Sequence, residues 1–376
     1  MSEDFSKSSY FYRRVALIGT GLIGGSIGTA LRERRLGEEI VGYDRDSESC
    51  AQAVKQGAID KAVASATEAV READLIILAV PVLSTIELLK EILPYVSKGT
   101  LITDVGSTKG WIMEAVEVIL PAGVYFIGGH PMAGSEESGI RGADPALLEN
   151  TIYVLTPGPE TPHDVVEKLS RMLAEVGAQT INLDPFKHDQ IVAAVSHLPQ
   201  ITAAALVQSV AGTDDTELVR TLAAGGFRDS TRIALGNPSI WRDICSSNRW
   251  ALLAALKRFK DNLNSLEKYL TEPNADAVEE FLSQARDYRR TIPHRGRGIL
   301  PELFDVIVLV RDTPGVIGRM TTCLGEAGIN IDAIEILHVR ELAGGSIRLG
   351  FKNIENQQKA LALLNNKGYH THSVGS

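Results

Sequence analysis

Three stretches of the 376-residue sequence carry ionisable side chains where a plain hydrophobic core would have no use for them. DVGSTKG follows the apolar run TLIT and holds Asp104, Ser107 and Lys109. GGHPMAGSEESG follows VYFI and holds His130, Ser135 and Glu136. The third is spread over helix-like sequence: VSHLPQ with His197, GGFRDSTRIA with Arg228, Asp229 and Arg232, and NPSIWRD with Trp241. An imidazole accepts a proton near neutral pH, as the oxidation of an alcohol by hydride transfer requires. A guanidinium fork matches a planar carboxylate. Taken singly, each residue has a plainer explanation. A lone histidine is more often structural than catalytic, Asp104 could cap a turn, Arg228 and Arg232 could pair with nearby acids, and Trp241 could be core. His130, however, stands at a strand end beside Gly129 and Pro131, and ligands gather outside the carboxyl ends of strands in an open parallel sheet.

The elements that must position these groups are legible as alternating patterns. VALIG, EIVGYD, DLIILAVPV, TLITDVG, VYFIGGHP and TIYVLTP are short and too apolar for surface helices, and helical stretches separate them. That alternation predicts βαβ units and a mostly parallel sheet covered on both faces, a Rossmann-type dinucleotide-binding domain over residues 13–184. After Asp184-Pro185 the pattern changes to an all-helical segment, 185–290, with helix-like runs KHDQIVAAVSHLPQITAAALVQSV and WALLAALKRFKDNLNSLEKYL. Pro199 should kink or punctuate the first run. An apolar helical segment beside a nucleotide domain hides surface against something, and a second copy of the chain is the expected partner, giving a homodimer. RRTIPHRGRGILPEL, basic and rich in Pro and Gly, reads as a linker. Residues 303–376 then give strand, helix, strand, strand, helix, strand, a two-layer βαββαβ sandwich of ferredoxin-like outline. The fold class is α/β throughout, apart from the helical middle.

GTGLIGGSIG is the strongest local motif. Gly19, Gly21 and Gly24 form GxGxxG between the strand VALI and the helix GGSIGTALRER, with Leu22 and Ile23 at the helix start. Gly19 permits the tight turn, Gly21 the approach of pyrophosphate to backbone amides, and Gly24 close helix-to-strand packing. Asp44 ends the second strand 20 residues after Gly24. A carboxylate there accepts from the ribose hydroxyls of NAD and repels the extra phosphate of NADP, although a solvated strand-end acid would look the same. Arg45 beside it could stack on adenine or help tolerate NADP. NAD is the expected cofactor.

Composition narrows the class. A net charge of −9 argues against nucleic acid as the main partner, since phosphate binding needs a basic face. Cys50, Cys245 and Cys323 are scattered and lack metal-ligand spacing, so they read as buried or neutral thiols in a reducing cytoplasm. No metal cluster is expected, and His370 and His372 in YHTH read as surface and edge residues. No stretch looks like the ~18 to 20 apolar residues of a membrane span. The start, MSEDFSKSSYFYRR, reads as a polar, frayed terminus. A cytoplasmic protein is expected.

The segments GTGLIGGSIG, DVGSTKG, GGHPMAGSE, VSHLP and FRDSTRIA, in that order, resemble the prephenate dehydrogenase family of tyrosine biosynthesis over roughly residues 13 to 290. The C-terminal sandwich resembles an ACT domain, a fold that commonly binds amino acids for feedback control. The resemblance implies oxidation of the ring alcohol of prephenate by hydride transfer to NAD, with loss of carbon dioxide and formation of 4-hydroxyphenylpyruvate. It implies that His130 takes the hydroxyl proton, and that Ser107 supports the same hydroxyl and the nicotinamide end of the site. Arg232 would bind a substrate carboxylate, and His197 would hold the substrate, with Ser135 and Glu136 lining the pocket. Asp229 and Trp241 would brace and wall it. Prephenate is a dianion, so Arg232 and Lys109 are the expected cationic donors. Where related sequences often read SHLPH this one has Gln200, which removes a second histidine. Gly315, in DTPGVIG, and Asn330 and Ile331, before the second strand of the tail, mark an expected amino-acid pocket between paired ACT-like domains, with L-tyrosine as inhibitor; a purely structural dimerisation module is the alternative. Three rival functions stand beside this one. Arogenate dehydrogenase performs the same chemistry on an aminated side chain. Another hydroxy-acid dehydrogenase with a regulatory tail would usually carry its nucleotide fold in mid-chain. A non-enzymatic regulator would have no need for His130, His197 and Arg232 together.

Overall fold

Along β1 (Tyr12–Ile18) neighbouring side chains bury on opposite sides: Val15 and Leu17 join one apolar cluster, Ala16 and Ile18 another. β4 (Leu75–Leu78) repeats the division, with Leu75 and Ile77 on one side and Ile76 and Leu78 on the other. Strands covered on both faces need no polar alternation, which is why they read as unbroken apolar runs. The structure, a computed structural model, describes residues 10–134, 139–212, 216–292, 303–310, 313–337 and 345–374.

β1 and β4 are central in an eight-stranded sheet of order β3-β2-β1-β4-β5-β6-β7-β8. The other strands are β2 (Gly37–Tyr43), β3 (Lys61–Ala62), β5 (Leu101–Asp104), β6 (Tyr125–Pro131), β7 (Ile152–Pro157) and β8 (Gln179–Asn182). All neighbours are parallel except β6 and β7, where His130 lies opposite Val154 in an antiparallel register. The predicted strands are all present. β3 and β8 were not anticipated, because one is two exposed residues and the other, QTIN, has a polar composition.

Beyond the sheet the chain is helical from Pro185 to Thr291 among the described residues. The expectation that no stretch looks like a membrane span is corrected here. Pro185–Ala211 is one helical run of 27 residues, long and apolar enough to cross a membrane by length and composition. His188, Asp189, His197 and Gln200 are set among its apolar residues. Those four are buried, and Asp189 binds backbone amides of the sheet-borne loop, so the run is built into the same unit as the sheet. It is also not uniform. A π-helical turn, Ala193–His197, interrupts it just before Pro199. Proline cannot donate to the carbonyl four residues back, and a widened turn absorbs that missing bond.

By internal packing the chain divides into two compact units, Met1–Gly298 and Ile299–Ser376. The second is the expected sandwich. β9 (Phe304–Val310), β10 (Ala333–Leu337), β11 (Gly345–Phe351) and β12 (His370–Val374) form an antiparallel sheet of order β10-β11-β9-β12. The helices Val316–Glu326 and Ile354–Asn366 contribute Met320, Leu324, Ala360 and Leu364 to its core.

Candidate active site

Asp104 ends β5, and its carboxylate folds the following loop back on the sheet. It accepts from Gly106 N at 2.9 Å and Gly129 N at 3.1 Å, and it pairs with the Lys109 ammonium. Lys109 is fully buried. This corrects the expectation that Lys109 supplies a cation to the substrate: its charge is committed to Asp104. Burial pushes the Lys109 pKa down, against the opposing pull of Asp104. The pair ties the ends of β5 and β6 together and so fixes where His130 stands.

His130, at the end of β6, is 9% exposed. Its Nδ1 lies 2.8 Å from Nε2 of His188, with the rings edge to face. His188 Nδ1 in turn lies 2.8 Å from Oδ1 of Asp189. Asp189 also accepts from Lys109 N at 2.8 Å and Gly110 N at 2.9 Å, which clamps the helix Pro185–Val192 to the start of the helix Gly110–Ile119. Burial, then the neighbouring His188, Lys109 and His197, hold His130 well below the ordinary histidine pKa of 6.5. It is a neutral base at physiological pH.

His197 closes the π-turn and is buried. Asn248 Nδ2 donates to the Asp189 carbonyl at 2.8 Å, so the nitrogen 3.2 Å from His197 Nδ1 is a donor there too. His197 Nδ1 therefore accepts, and a neutral ring carries its hydrogen on Nε2. Burial lowers its pKa to about 4; Asp189 opposes that shift and His188 adds to it. Trp241 stands edge-on to His197 at 5.9 Å. A Cβ on Gly236 would meet Trp241 Nε1 at 2.6 Å and Gln200 Nε2 at 3.3 Å, so buried Gln200 shares this corner.

The other predicted residues are placed less tightly. Ser107 is half-buried in the loop after β5. Asp229, on the helix Gly225–Thr231, and Arg232, opening the turn Arg232–Leu235, are exposed. Both elements pack against the helix Leu198–Ala211, which begins directly after His197. Ser135 and Glu136 lie outside the described residues. His188, Asp189 and Asn248 were missed by the sequence reading. The only signal was an adjacent ionisable pair, HD, at the start of an apolar helix.

The glycine turn fits a dinucleotide. Gly19 has φ +95°, and a Cβ on Gly24 would sit 2.0 Å from the Gly19 carbonyl, whereas one on Gly21 would meet open space. The helix Leu22–Glu33 starts at Gly21 with no side-chain cap on its first amides, the arrangement that receives a phosphate. Asp44 braces the turn by accepting from Thr20 N at 2.7 Å and from Asp46 N at 3.0 Å, and Arg45 beside it is exposed. Among the described residues no cluster of His, Cys, Asp and Glu is grouped to hold a metal.

Family models agree with this layout. The nucleotide-binding domain of prephenate dehydrogenase matches residues 27–182, its dimerization domain matches 184–284, and an ACT domain matches 304–362. The prephenate dehydrogenase of Bacillus subtilis (strain 168) is 37% identical over 348 residues, 92% of this chain and 94% of that protein. The chain belongs to the prephenate dehydrogenase family. Solved members of the family superpose on most of it. The Aquifex aeolicus prephenate dehydrogenase, crystallised with hydroxyphenyl propionate and NAD+, matches with a TM-score of 0.70 at 32% identity, over 77% of this chain and 100% of that one. A Synechocystis arogenate dehydrogenase matches with a TM-score of 0.65 at 32% identity, over 74% of this chain and 99% of that one. Family membership makes the chain an NAD-dependent dehydrogenase.

In the second unit, Gly315 has φ +81° and opens the helix Val316–Glu326. Residues Thr313 to Gly318 line a hollow of about 500 Å³. Asn330 Nδ2 donates to Asp332 at 3.1 Å, and Ile331 packs on the apolar core.

Proposed function

We propose that the chain catalyses the NAD-dependent oxidative decarboxylation of prephenate to 4-hydroxyphenylpyruvate. The observation that carries this reading is His130: a buried, neutral imidazole at a strand end of a dinucleotide-binding sheet, backed by His188 and Asp189. The glycine turn and Asp44 would hold NAD, which would supply the hydride acceptor. His130 takes the ring hydroxyl proton as the carbon–oxygen double bond forms, with Ser107 beside the same oxygen. Loss of the ring carboxylate as carbon dioxide returns its electron pair to the ring, which becomes aromatic. The phenolic oxygen then recovers the proton. Arg232 binds a substrate carboxylate, and His197 donates through Nε2–H to a substrate oxygen, with Trp241 as a wall. Asp229 braces the pocket, and Ser135 and Glu136, outside the described residues, are assigned to the substrate by the family resemblance alone.

The test is NADH formation followed by absorbance with prephenate and, separately, with arogenate. Turnover of prephenate well above that of arogenate supports the reading, and the reverse preference makes the chain an arogenate dehydrogenase. Two copies assemble through the helical region, whose exposed Val195, Leu206, Val207 and Leu222 supply the apolar contact. The chain works in the cytoplasm. L-tyrosine inhibits through the hollow around Gly315, acting by favouring a less active arrangement, since a ligand with equal affinity for both states shifts nothing. A chain ending at Gly298, the boundary between the two units, should respond less steeply to tyrosine than the full chain. Identical responses refute the regulatory role of Gly315, Asn330 and Ile331.

A further inference from the structure

We infer that His188 and Asp189 are positioning residues that fix the tautomer of His130, leaving Nε2 of His130 as the bare nitrogen that accepts the substrate proton. The inference rests on the reading of His130 as the base and explains how that base is kept in a usable form.

The assignment follows from counting donors. Asp189 accepts three hydrogen bonds: from Lys109 N and His188 Nδ1 on Oδ1, and from Gly110 N on Oδ2. Backbone amides only donate, so both carboxylate oxygens are acceptors and the hydrogen between Asp189 and His188 belongs to His188 Nδ1. A neutral imidazole has one N–H. We take His188 in this one-hydrogen form, in which its Nε2 is bare and accepts. The atom 2.8 Å from it, His130 Nδ1, must then be the donor. The single hydrogen of neutral His130 is thus spent on His188, and its lone pair is on Nε2, across the ring. The opposite tautomer would present an N–H to the substrate hydroxyl and could not take its proton.

The same chain serves the charged form. When Nε2 gains the proton, the imidazolium already donates through Nδ1 to His188, whose own N–H points at the Asp189 side chain. Orientation and tautomer are held by a side chain on another element, as a carboxylate holds the histidine of a hydrolytic triad. Both groups are almost wholly buried, His188 at 1% and Asp189 at 0% exposure, so water cannot compete for either bond.

Nitrogen-15 NMR of the full chain, with labelled histidines, reads the tautomer directly and does not depend on activity. His130 should show a protonated Nδ1 and a bare Nε2. His188 is the position to vary, since Asp189 also holds backbone amides. His188→Leu removes both bonds, so kcat should fall by about 10- to 100-fold with KM nearly unchanged, and the His130 signals should lose the fixed pattern. His188→Gln keeps the polarity, with an amide nitrogen toward Asp189 and an oxygen toward His130, and should recover much of the kcat. A hydrogen on Nε2 of His130 in the native protein overturns the inference. So does a His188→Leu enzyme with native kcat, or equal losses in the Leu and Gln variants. If His188→Leu does not fold, the native spectrum and the Gln variant still decide. Failure of the native enzyme to form NADH from prephenate or arogenate would remove the functional reading while leaving the tautomer measurable.

Discussion

The sheet and the helical region of the first unit are built on different terms. The open sheet is covered within its own domain: two apolar clusters lie on its faces, and residues such as Val15, Ile40 and Ile76 have no exposed surface. The helical region has a core cluster of only Ala193, Ala251 and Ala255 with Leu198 beside it among the described residues, while Leu222 and Leu235 are 70% and 83% exposed. Isolated exposed apolar residues are ordinary, but a helical segment this thinly cored draws its stability from surfaces outside itself. The chemical groups divide along the same line. His130 is pinned by backbone and side-chain bonds on a strand end, whereas Arg232 stands on a short exposed turn. On the proposed reading the sheet carries the reacting histidine, with His188 and Asp189 of the first helix behind it, and the rest of the helical region grips the substrate.

The largest test of that division is His130→Asn. Asparagine keeps polarity but cannot take up a proton, so turnover should fall by about 100- to 10,000-fold with KM little changed. In the native enzyme the rising limb of the pH profile should lie below pH 6.5, because burial lowers the His130 pKa and leaves it a neutral base into the acid range. The limb should vanish in the variant. If it persists, the base lies elsewhere, with His197 next in line.

Arg232→Ala tests the other side. A carboxylate contact to a guanidinium should cost about 10- to 100-fold in apparent KM when removed. A pure loss of kcat would place Arg232 in the chemical step and break the division between centre and grip. Asp44→Ser returns to the sheet with a smaller expected effect. Removing the carboxylate should narrow the preference for NAD over NADP by about tenfold, equivalent to ~1.4 kcal/mol. An unchanged ratio would remove Asp44 from the ribose site and leave it only bracing Thr20.

What the sequence made legible follows the same contrast. Strands buried on both faces announce themselves as apolar runs, and the turn from Gly19 to Gly24 is constrained residue by residue, so both were readable. Helix positions in the middle region were readable, but not what lies inside them. Lys109 looked like a free cation because nothing local marks the long-range pairing that buries it against Asp104. His188 and Asp189 were hidden for the same reason. Their partners, His130 and the amides of Lys109 and Gly110, are 58, 80 and 79 positions away. The run Pro185–Ala211 is longer and more apolar than the sequence analysis allowed, with buried polar residues set among its apolar ones.

The smallest effect concerns stability, and it asks whether the thinly cored region is dry at the one point where it matters. His197 belongs to the helical region yet is buried, with its pKa lowered from 6.5 to about 4. Between those values the unfolded chain binds a proton that the folded chain refuses, so acidification favours unfolding across this window and this group contributes nothing further below it. The carboxylates of the chain add their own acid sensitivity, so the test is a difference. His197→Gln keeps an acceptor for Asn248 and cannot titrate. Its melting temperature should therefore drop less between pH 6.5 and pH 4 than that of the native protein, by about 2 to 6 °C. Parallel curves would mean that water reaches His197 and that the corner formed with Trp241 and Gln200 is open. The grip would then be assembled only when a substrate or a second copy of the chain closes over it, and the line between a preformed centre and an unformed grip would have to be drawn on the sheet side of His197.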